Sequence, residues 1–308
     1  MRFWKKRLKR TKMKTRVLIK EGEYRLSKAG CMDARIDAEE LYCFLTGSDK
    51  VNVFLKADEE VDSVTEEKYF DLIARRATRE PLQHITGEQE FMGFKFKVTP
   101  DVLVPRQDTE TLVTEAAKII KETPRDELSL MQKLKGDKQW DVLDLCCGSG
   151  IIGISMAKIC DNVSVVASDI SSAAVDVAQE NARALRTKIK FFCGDMFEPL
   201  TGYTFDMIVS NPPYIRTNMI AMLQEEVKSF DPMEALDGGR DGLDYYRVIV
   251  EKAPKFLKKD GYLLMEIGSD QAEELRKLIM ESGAFTKAEV IRDLAGRERV
   301  IKCRLKLV

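Results

Sequence analysis

The sequence predicts an α/β fold with a mainly parallel sheet, preceded by a small helical domain. From residue 140 onward, short apolar runs typical of buried strands alternate with stretches of helical spacing. Before residue 80 the apolar residues follow helical spacing. With 308 residues, 44% of them hydrophobic, the chain is long enough for two domains and a substantial core.

Residues 15–85 are predicted to form the helical domain. Leu41 and Leu45 recur at helical spacing until Gly47 ends the run. A second helical pattern follows Thr65, which is a candidate N-cap.

A β-hairpin is predicted to link the two domains over residues 86–104. Phe94 and Phe96 alternate with lysines, as in a half-exposed strand. The α/β domain then covers residues 105–308, and Asp108 or Thr109 is expected to cap its first helix. The strands within it are predicted from the runs DVLDLCC, NVSVVASD, KIKFFCGD, FDMIVSN and GYLLMEIG, with two more near residues 288–292 and 299–307.

The charge of the chain is unevenly distributed. Residues 1–20 hold ten Lys and Arg side chains and no acidic one, so the other 288 residues carry 40 basic and 51 acidic side chains. Because residues 21–308 carry a net negative charge, this part of the chain is expected to bind nucleic-acid phosphate backbones poorly. We expect residues 1–14 to be a solvated basic tail. No apolar run approaches the roughly 20 residues of a membrane span, so no membrane partner is expected.

The seven cysteines indicate a reducing compartment. Their number is odd, they form no C-x-x-C motif, and several lie in apolar runs. This favours reduced thiols in a cytoplasmic protein. A single histidine, His84, argues against a histidine-based metal site and against a Ser-His-Asp triad, so we expect no metal.

Three candidate motifs lie where predicted strands end, which is where parallel sheets bind ligands. The first is DLCCGSG, in which Gly148 and Gly150 allow a tight turn and close approach by a ligand. A plain tight turn fits these glycines equally well. The second is Asp169, 19 residues after Gly150, which suits either a ribose diol or a helix cap. The third places Asp195 and Met196 where a carboxylate and an apolar wall could hold an adenine; a second cap and a core methionine are the alternatives.

The stretch SNPPY ends the run FDMIV with two prolines, which have no N–H to continue a sheet. The backbone therefore leaves the sheet in a fixed direction and can hold the Asn211 side chain still. A rigid turn with a capping asparagine is the alternative.

The order of glycine loop, acidic strand end, GD and NPPY resembles that of class I, Rossmann-like, S-adenosylmethionine-dependent N-methyltransferases. More narrowly, the chain resembles the protein-(glutamine-N5) methyltransferases of peptide chain release factors, the PrmC/HemK family. That resemblance extends from about residue 15 to the end. It rests on NPPY together with REPLQHITGEQEFMG, LVPRQDTETLV and FDPMEALDGGRDGLDYYR.

The resemblance implies a site for each group. The S-adenosylmethionine residues would be Cys146, Cys147, Gly148, Ser149, Gly150, Asp169, Asp195, Met196 and Asn211. The catalytic acceptor motif would be Asn211, Pro212, Pro213 and Tyr214. Family members commonly have glycine at the position of Cys146 and often an aromatic residue at that of Met196. We expect the loop to tolerate Cys146 if its φ is negative.

The implied reaction transfers a methyl group to the glutamine amide of a Gly-Gly-Gln motif in a class-1 release factor, leaving S-adenosylhomocysteine. An amide nitrogen is a poor nucleophile, because its lone pair is delocalised into the carbonyl. The Asn211 side-chain oxygen and the Pro212 carbonyl could accept its two N–H groups and localise that lone pair, while Tyr214 packs against the amide. Catalysis would then be mostly orientation and electrostatic preorganisation.

Two alternatives share parts of this pattern. A DNA or RNA N-methyltransferase could use the same NPPY, but the acidic body favours a protein partner over nucleic acid. A non-catalytic ribosome-associated binding protein would have little need for an intact NPPY and a full set of cofactor positions. We expect the helical domain to contact the release factor outside its Gly-Gly-Gln loop.

Overall fold

The computed structural model describes residues 12–123 and 139–306, and the chain divides into two compact units after Thr86. Residues 1–11 of the predicted tail lie outside the described residues. The predicted tail boundary at residue 14 is wrong, because the Val61 N–H donates to the Met13 carbonyl at 2.8 Å and Lys14 forms a β-bridge with Glu60. Residues 13 and 14 are thus part of the helical unit.

The first unit is helical and packs around an apolar centre that includes Leu18, Leu41 and Tyr69. As predicted, Gly47 ends the second helix in a left-handed conformation, with φ of 65°. Thr65 is not the cap of the fourth helix. Asp62 takes that role, since its carboxylate accepts the N–H groups of Val64 and Thr65 at 3.0 Å. The helices are α1 (Thr15–Lys28), α2 (Ala34–Thr46), α3 (Lys50–Leu55), α4 (Ser63–Ala77) and α5 (Leu82–Thr86).

The second unit begins with the antiparallel hairpin of β1 (Glu88–Phe91) and β2 (Phe94–Lys97). Strands and helices then alternate, as the sequence predicts. The strands are β3 (Trp140–Leu145), β4 (Val163–Asp169), β5 (Ile189–Cys193), β6 (Phe205–Ser210), β7 (Leu257–Glu266), β8 (Glu289–Arg292) and β9 (Glu298–Arg304). The helices are α6 (Glu110–Glu122), α7 (Ile151–Ile159), α8 (Ser172–Ala184), α9 (Glu225–Phe230), α10 (Asp244–Lys252) and α11 (Ala272–Ser282).

The seven strands β3 to β9 form one mixed sheet in the order β5-β4-β3-β6-β7-β9-β8. The pairs from β5 to β7 are parallel, and β9 pairs antiparallel with both β7 and β8. Both faces of the sheet are covered. Val142 and Met207 face the apolar layer under α6 and α7, whereas the alternate residues Leu143 and Ile208 face the layer under α10 and α11.

Thr109 occupies the N-cap position of α6, as predicted, but that helix follows a short 3-10 turn over Gln107–Thr109 and neither Asp108 nor Thr109 makes a side-chain cap hydrogen bond. Both side chains have tertiary partners instead. Asp108 forms an ion pair with Arg299 at 2.9 Å, and the Thr109 hydroxyl lies 3.4 Å from the Asn211 amide nitrogen. Within the described ranges, no helix is long and apolar enough to cross a membrane.

Candidate active site

One cavity of the second unit opens at the carboxyl ends of β3, β4, β5 and β6. It brings together most of the residues that the sequence singled out. Those on its wall are Cys146, Cys147, Gly148, Ser149, Asp169, Asp195, Met196, Asn211 and Pro213. Gly150, Pro212 and Tyr214 are not on the wall, and their placement is described below.

The glycine loop between β3 and α7 uses its two glycines differently. Both are left-handed, with φ of 51° at Gly148 and 79° at Gly150. A Cβ on Gly150 would lie 2.9 Å from Ile154 and 3.0 Å from Ala178, so this glycine is needed for packing behind the loop. A Cβ on Gly148 would meet nothing within 4 Å. Gly148 therefore borders the open space that a ligand can enter.

Cys146 is also left-handed, with φ of 61°, so the condition under which the loop was expected to tolerate this side chain, a negative φ, is not met. The chain must reverse directly after β3, and this turn places the position in the region that glycine reaches most easily. A side chain there costs on the order of 1–3 kcal/mol. Met196 is left-handed too, with φ of 48°. The two sulfur atoms lie 3.8 Å apart, so these two positions are in direct contact.

Asp169 joins the loops that follow β3 and β4. Its Oδ2 accepts the Gly148 N–H at 2.8 Å, and its Oδ1 accepts the Ser171 N–H at 3.0 Å. Burial raises the pKa of this carboxyl, while the backbone N–H groups act against that shift. Each carboxylate oxygen can accept a further hydrogen bond, so the group remains able to bind a diol. The alternative interpretation of Asp169 as a helix cap is wrong. The cap of α8 is Ser171, because its Oγ accepts the Ala174 N–H at 3.2 Å.

The wall beyond β5 combines a carboxylate with apolar surface. Asp195 and Met196 line the cavity here. Beyond the neighbouring strand β4 the wall includes Ile170, which is 60% exposed. Sequence reasoning missed Ile170. Its signal was a large apolar residue directly after an acidic strand end. An exposed isoleucine beside a carboxylate provides the mixed surface that a purine ring requires.

The NPPY turn is held rigidly by the loop that precedes α10. The Ile215 N–H donates to the Leu236 carbonyl at 3.0 Å, and the Gly238 N–H donates back to the Ile215 carbonyl at 2.9 Å. A Cβ on Gly238 would lie 2.7 Å from the Tyr214 Cα, so only glycine permits this approach. Pro212 and Pro213 are buried. Asn211 therefore projects from a fixed backbone.

The Tyr214 side chain is anchored within the protein. Its hydroxyl donates to Oε1 of Glu266 at 3.2 Å, and burial raises its pKa far above the usual range. Its backbone carbonyl accepts from the Gln271 side chain at 3.0 Å. This placement ties the last residue of NPPY to β7 and the start of α11.

Sequence reasoning also missed Thr109, Arg106 and Glu266. Arg106 lines the cavity and forms an ion pair at 2.8 Å with Asp231, which is buried. Asp231 also accepts the Val104 N–H at 3.3 Å. This pair fastens the segment before α6 to the loop after α9, and both segments contribute to the cavity wall.

These residues fit S-adenosylmethionine. A partly satisfied carboxylate suits the ribose, the Ile170 and Met196 surface suits the adenine, and the open side of Gly148 admits the ligand close to the backbone. Asn211 lies on the wall of the same cavity. One cavity thus joins the two halves of the predicted site.

Comparisons with known proteins agree with this geometry. Residues 18–87 match the family described as "PrmC N-terminal domain", and residues 127–227 match "Methyltransferase small domain". A solved structure of the hMettl16 catalytic domain in complex with a 3'UTR hairpin is similar in fold, with a TM-score of 0.51 and 14% identity over 77% of this chain and 82% of that one.

Two relatives named release factor glutamine methyltransferase are similar over nearly their whole length. That of Geobacter sulfurreducens is 39% identical, covering 91% of this chain and 93% of its own. That of Moorella thermoacetica is 38% identical, covering 93% of this chain and 97% of its own. The predicted family is thereby confirmed, and the chain belongs to the release factor glutamine methyltransferases.

Proposed function

We propose that this protein transfers a methyl group from S-adenosylmethionine to the side-chain amide nitrogen, N5, of the glutamine in the Gly-Gly-Gln motif of a class-1 peptide release factor. The observation that carries the proposal is the single cavity in which Asp169 and Asn211 share a wall. S-adenosylmethionine, when bound, supplies a methyl group attached to a sulfonium sulfur. Because the sulfur leaves as a neutral thioether, the transfer needs no metal.

We assign the cofactor to the part of the cavity beyond β3, β4 and β5. Asp169 would accept hydrogen bonds from the ribose hydroxyls. Asp195, Met196 and Ile170 would hold the adenine. The loop from Cys146 to Gly150 would lie beside the cofactor. The distribution of the acidic and apolar side chains around the cavity supports these assignments.

We assign the acceptor to Asn211, which lines the cavity, and to the backbone carbonyl of Pro212, the next residue of the same rigid turn, although Pro212 itself is buried and is not among the residues of the cavity wall. Because the Asn211 nitrogen donates to Thr109, its amide oxygen lies on the opposite side of the group and is available as an acceptor. That oxygen and the Pro212 carbonyl would accept the two N–H groups of the substrate amide. The nitrogen lone pair then becomes localised and correctly aimed. After transfer the nitrogen is strongly acidic, so its proton can leave to water.

A nucleic-acid N-methyltransferase is the nearest alternative. The hMettl16 structure contains a hairpin, but at 14% identity the likeness shows only the fold. Residues 21–308 carry 40 basic and 51 acidic side chains, which supports a protein acceptor. A non-catalytic binding protein is disfavoured by a cavity that retains both halves of the site. We further propose that the protein acts in the cytoplasm, which its seven free cysteines support.

Radiolabelled methyl transfer tests the proposal against its alternatives. Purified release factor, duplex DNA and ribosomal RNA are incubated in parallel with the protein and methyl-labelled S-adenosylmethionine. We expect label only in the release factor, on the Gly-Gly-Gln glutamine, as located by mass spectrometry of the tryptic peptide. A release factor whose glutamine is changed to alanine is the matched control. Labelled nucleic acid, or no labelled product, would contradict the proposal.

A further inference from the structure

Another concave surface of the second unit lies at the opposite end of the sheet from the active-site cavity. It is formed where the last turns of α7 and α8 meet the first residues of β4 and β5. In β4 it takes Val163 to Val165, whereas the active-site cavity takes Ser168 and Asp169. A strand rises about 3.3 Å per residue, so β4 spans roughly 20 Å from Val163 to Asp169. A ligand on this surface therefore lies away from the methyl-transfer site.

Five basic side chains line this surface, and all five are exposed. They come from α7, from α8, from the turn after α8 and from β5. These residues are Lys158, Arg183, Arg186, Lys188 and Lys190. Among the described residues, no aspartate or glutamate contributes to the lining. We call the surface that these five residues line the basic groove.

Ion pairs do not account for these cations. Within residues 12–123 and 139–306, none of the five forms an ion pair with a carboxylate. Glu180 lies one turn before Arg183 in α8, but its carboxylate pairs with Lys97 of the hairpin. The charges of the groove are thus available to a ligand.

Helix ends account for two of the five positions. Lys158 lies in the last turn of α7 and Arg183 in the last turn of α8, where a cation interacts favourably with the helix dipole. The Lys158 ammonium also donates to the Leu185 carbonyl at 3.3 Å. The other three cations follow α8 and have no helix end to stabilise. The charge of the groove as a whole therefore needs another explanation.

Local charge, rather than net charge, decides whether this groove holds an anion. Residues 21–308 carry more acidic than basic side chains. In physiological salt, however, the Debye length is about 8 Å, so carboxylates farther away than that are largely screened. Residues 183–190, with the sequence RALRTKIK, hold four cations and no acidic side chain. An extended anion in the groove would therefore meet positive charge along its length.

We propose that the basic groove binds single-stranded RNA through its phosphate backbone. The cations suit the phosphates, and the neutral side chains of Gln139, Gln179 and Thr187 suit phosphate and sugar oxygens. Phe191, which is half-buried, adds an aromatic ring to the lining for stacking of an unpaired base. An acidic peptide would use the cations alone. The RNA is a ligand here and not a methyl acceptor, so the proposal goes beyond the proposed function and does not depend on it.

Fluorescence anisotropy of a labelled oligouridylate of about 12 nucleotides, a length typical of such grooves, tests the proposal on the full chain. Arg186→Gln/Lys188→Gln removes two groove cations. Lys255→Gln/Lys287→Gln is the matched control, because both lysines are exposed and lie outside the groove. Every protein in the test carries glutamine in place of the six Lys and Arg of residues 1–10, so that RNA held there does not mask the groove.

We expect a Kd of about 1–100 µM in about 0.1 M salt, as for other non-specific sites. Each phosphate contact adds about 0.7 to the salt dependence of log K and about fivefold to the affinity at this salt concentration. Arg186→Gln/Lys188→Gln should therefore weaken binding by about 10- to 25-fold and lower the slope by about 1.4. The control should leave the Kd within about twofold. Because the groove is remote from the cavity, neither variant should change kcat for release factor by more than about twofold.

Photocrosslinking locates the RNA independently. The same oligonucleotide carrying 4-thiouridine is irradiated with the protein, and mass spectrometry should find the crosslinks in residues 157–191. Thermal unfolding verifies that each variant is folded, and if the groove variant does not fold, the crosslinks decide alone.

A change in Kd of less than about threefold in the groove variant, or an equal loss in the control, would overturn the proposal. So would crosslinks confined to other segments. Polyglutamate that displaces the RNA at an equal concentration of charge would assign the groove to acidic peptides and overturn the RNA assignment. Methylation of release factor is measured separately, so a failure of the proposed function would be distinguished from a failure of this one.

Discussion

The left-handed backbone at Cys146 predicts an unusual order of stability among variants. Within a helix or strand, a protein with alanine at a given position is more stable than one with glycine by about 0.5–1 kcal/mol, because glycine loses more conformational entropy on folding. At φ of 61° the Cβ is strained, and that strain is of similar or larger size. We expect Cys146→Gly to be more stable than Cys146→Ala by about 1 kcal/mol, measured by urea unfolding. An alanine variant as stable as the glycine variant would show that this turn is unstrained.

Asp169 should dominate cofactor affinity among single side chains. Removing its carboxylate deletes charge-assisted hydrogen bonds worth about 1.5–3 kcal/mol each. We therefore expect Asp169→Ala to weaken S-adenosylmethionine binding by about tenfold or more, measured by calorimetry. Asp62→Ala, which removes a helix cap in the other unit, should lower stability but leave the affinity as in wild type. If Asp169→Ala binds S-adenosylmethionine as tightly as wild type, the assignment of Asp169 to the ribose is wrong.

Asn211 should affect turnover and leave the cofactor bound. Losing one preorganised polar contact to the reacting group costs on the order of 10²–10³ in rate. Asn211→Ala should lower kcat by that factor at saturating release factor, while calorimetry shows S-adenosylmethionine binding close to wild type. The contrast with Asp169→Ala is the control, since the two variants should fail in different constants. If Asn211→Ala keeps the wild-type kcat, Asn211 only supports the turn and does not act on the substrate amide.

At the scale of elements, a buried carboxyl joins strand β3 to helix α7. Asp144 of β3 accepts the Gly153 N–H at 2.8 Å, and burial raises its pKa from 3.8 to about 7. The folded state therefore binds this proton more tightly than the unfolded state does. Its contribution to stability is complete below about pH 4 and decreases as the pH rises toward 7.

The resulting prediction concerns the slope of stability against pH. The melting temperature of the wild type should fall between pH 5 and pH 8 relative to that of Asp144→Asn, whose amide does not titrate. Differential scanning calorimetry of both proteins across this interval provides the measurement. If the melting temperatures of the two proteins change in parallel with pH, the pH dependence of stability does not come from Asp144.

Sequence reasoning identified the site residues that can be recognised within a single strand or helix. It missed those whose role depends on a contact between two elements. The strand ends at Asp169 and Asn211 could be identified because each acid or amide follows an apolar run. Glu266 ends an apolar run in the same way, but its meaning depends on β7 lying beside β6. The tertiary partners of Thr109 and the left-handed φ of Cys146 depend likewise on neighbours that are distant in the chain.

At the scale of the whole molecule, every residue of the cavity wall belongs to the unit after Thr86. That unit alone should therefore bind S-adenosylmethionine. Ordering a Gly-Gly-Gln loop costs about 1–2 kcal/mol of backbone entropy per residue, and contacts remote from the reacting amide must offset this cost. We propose that the helical unit provides such contacts.

A truncated protein of residues 87–308 tests this proposal. Provided that it folds, as judged by circular dichroism, calorimetry should show S-adenosylmethionine binding near that of the full chain. Its kcat/KM on intact release factor should fall toward its value on a short Gly-Gly-Gln peptide. The peptide itself is the control, because full-length and truncated proteins should methylate it equally. Equal kcat/KM on intact release factor would make the helical unit a structural cap.

The contact between Cys146 and Met196 has an evolutionary consequence. The family resemblance implies glycine at the first position and often an aromatic residue at the second, and the two sulfur atoms touch although they lie in loops after different strands. Residues in contact have non-additive effects, with coupling of about 0.5–3 kcal/mol. The two departures therefore form an epistatic pair. Restoring the family residue at one position leaves the other beside a neighbour to which it is not matched, so a consensus design of this enzyme must change both together.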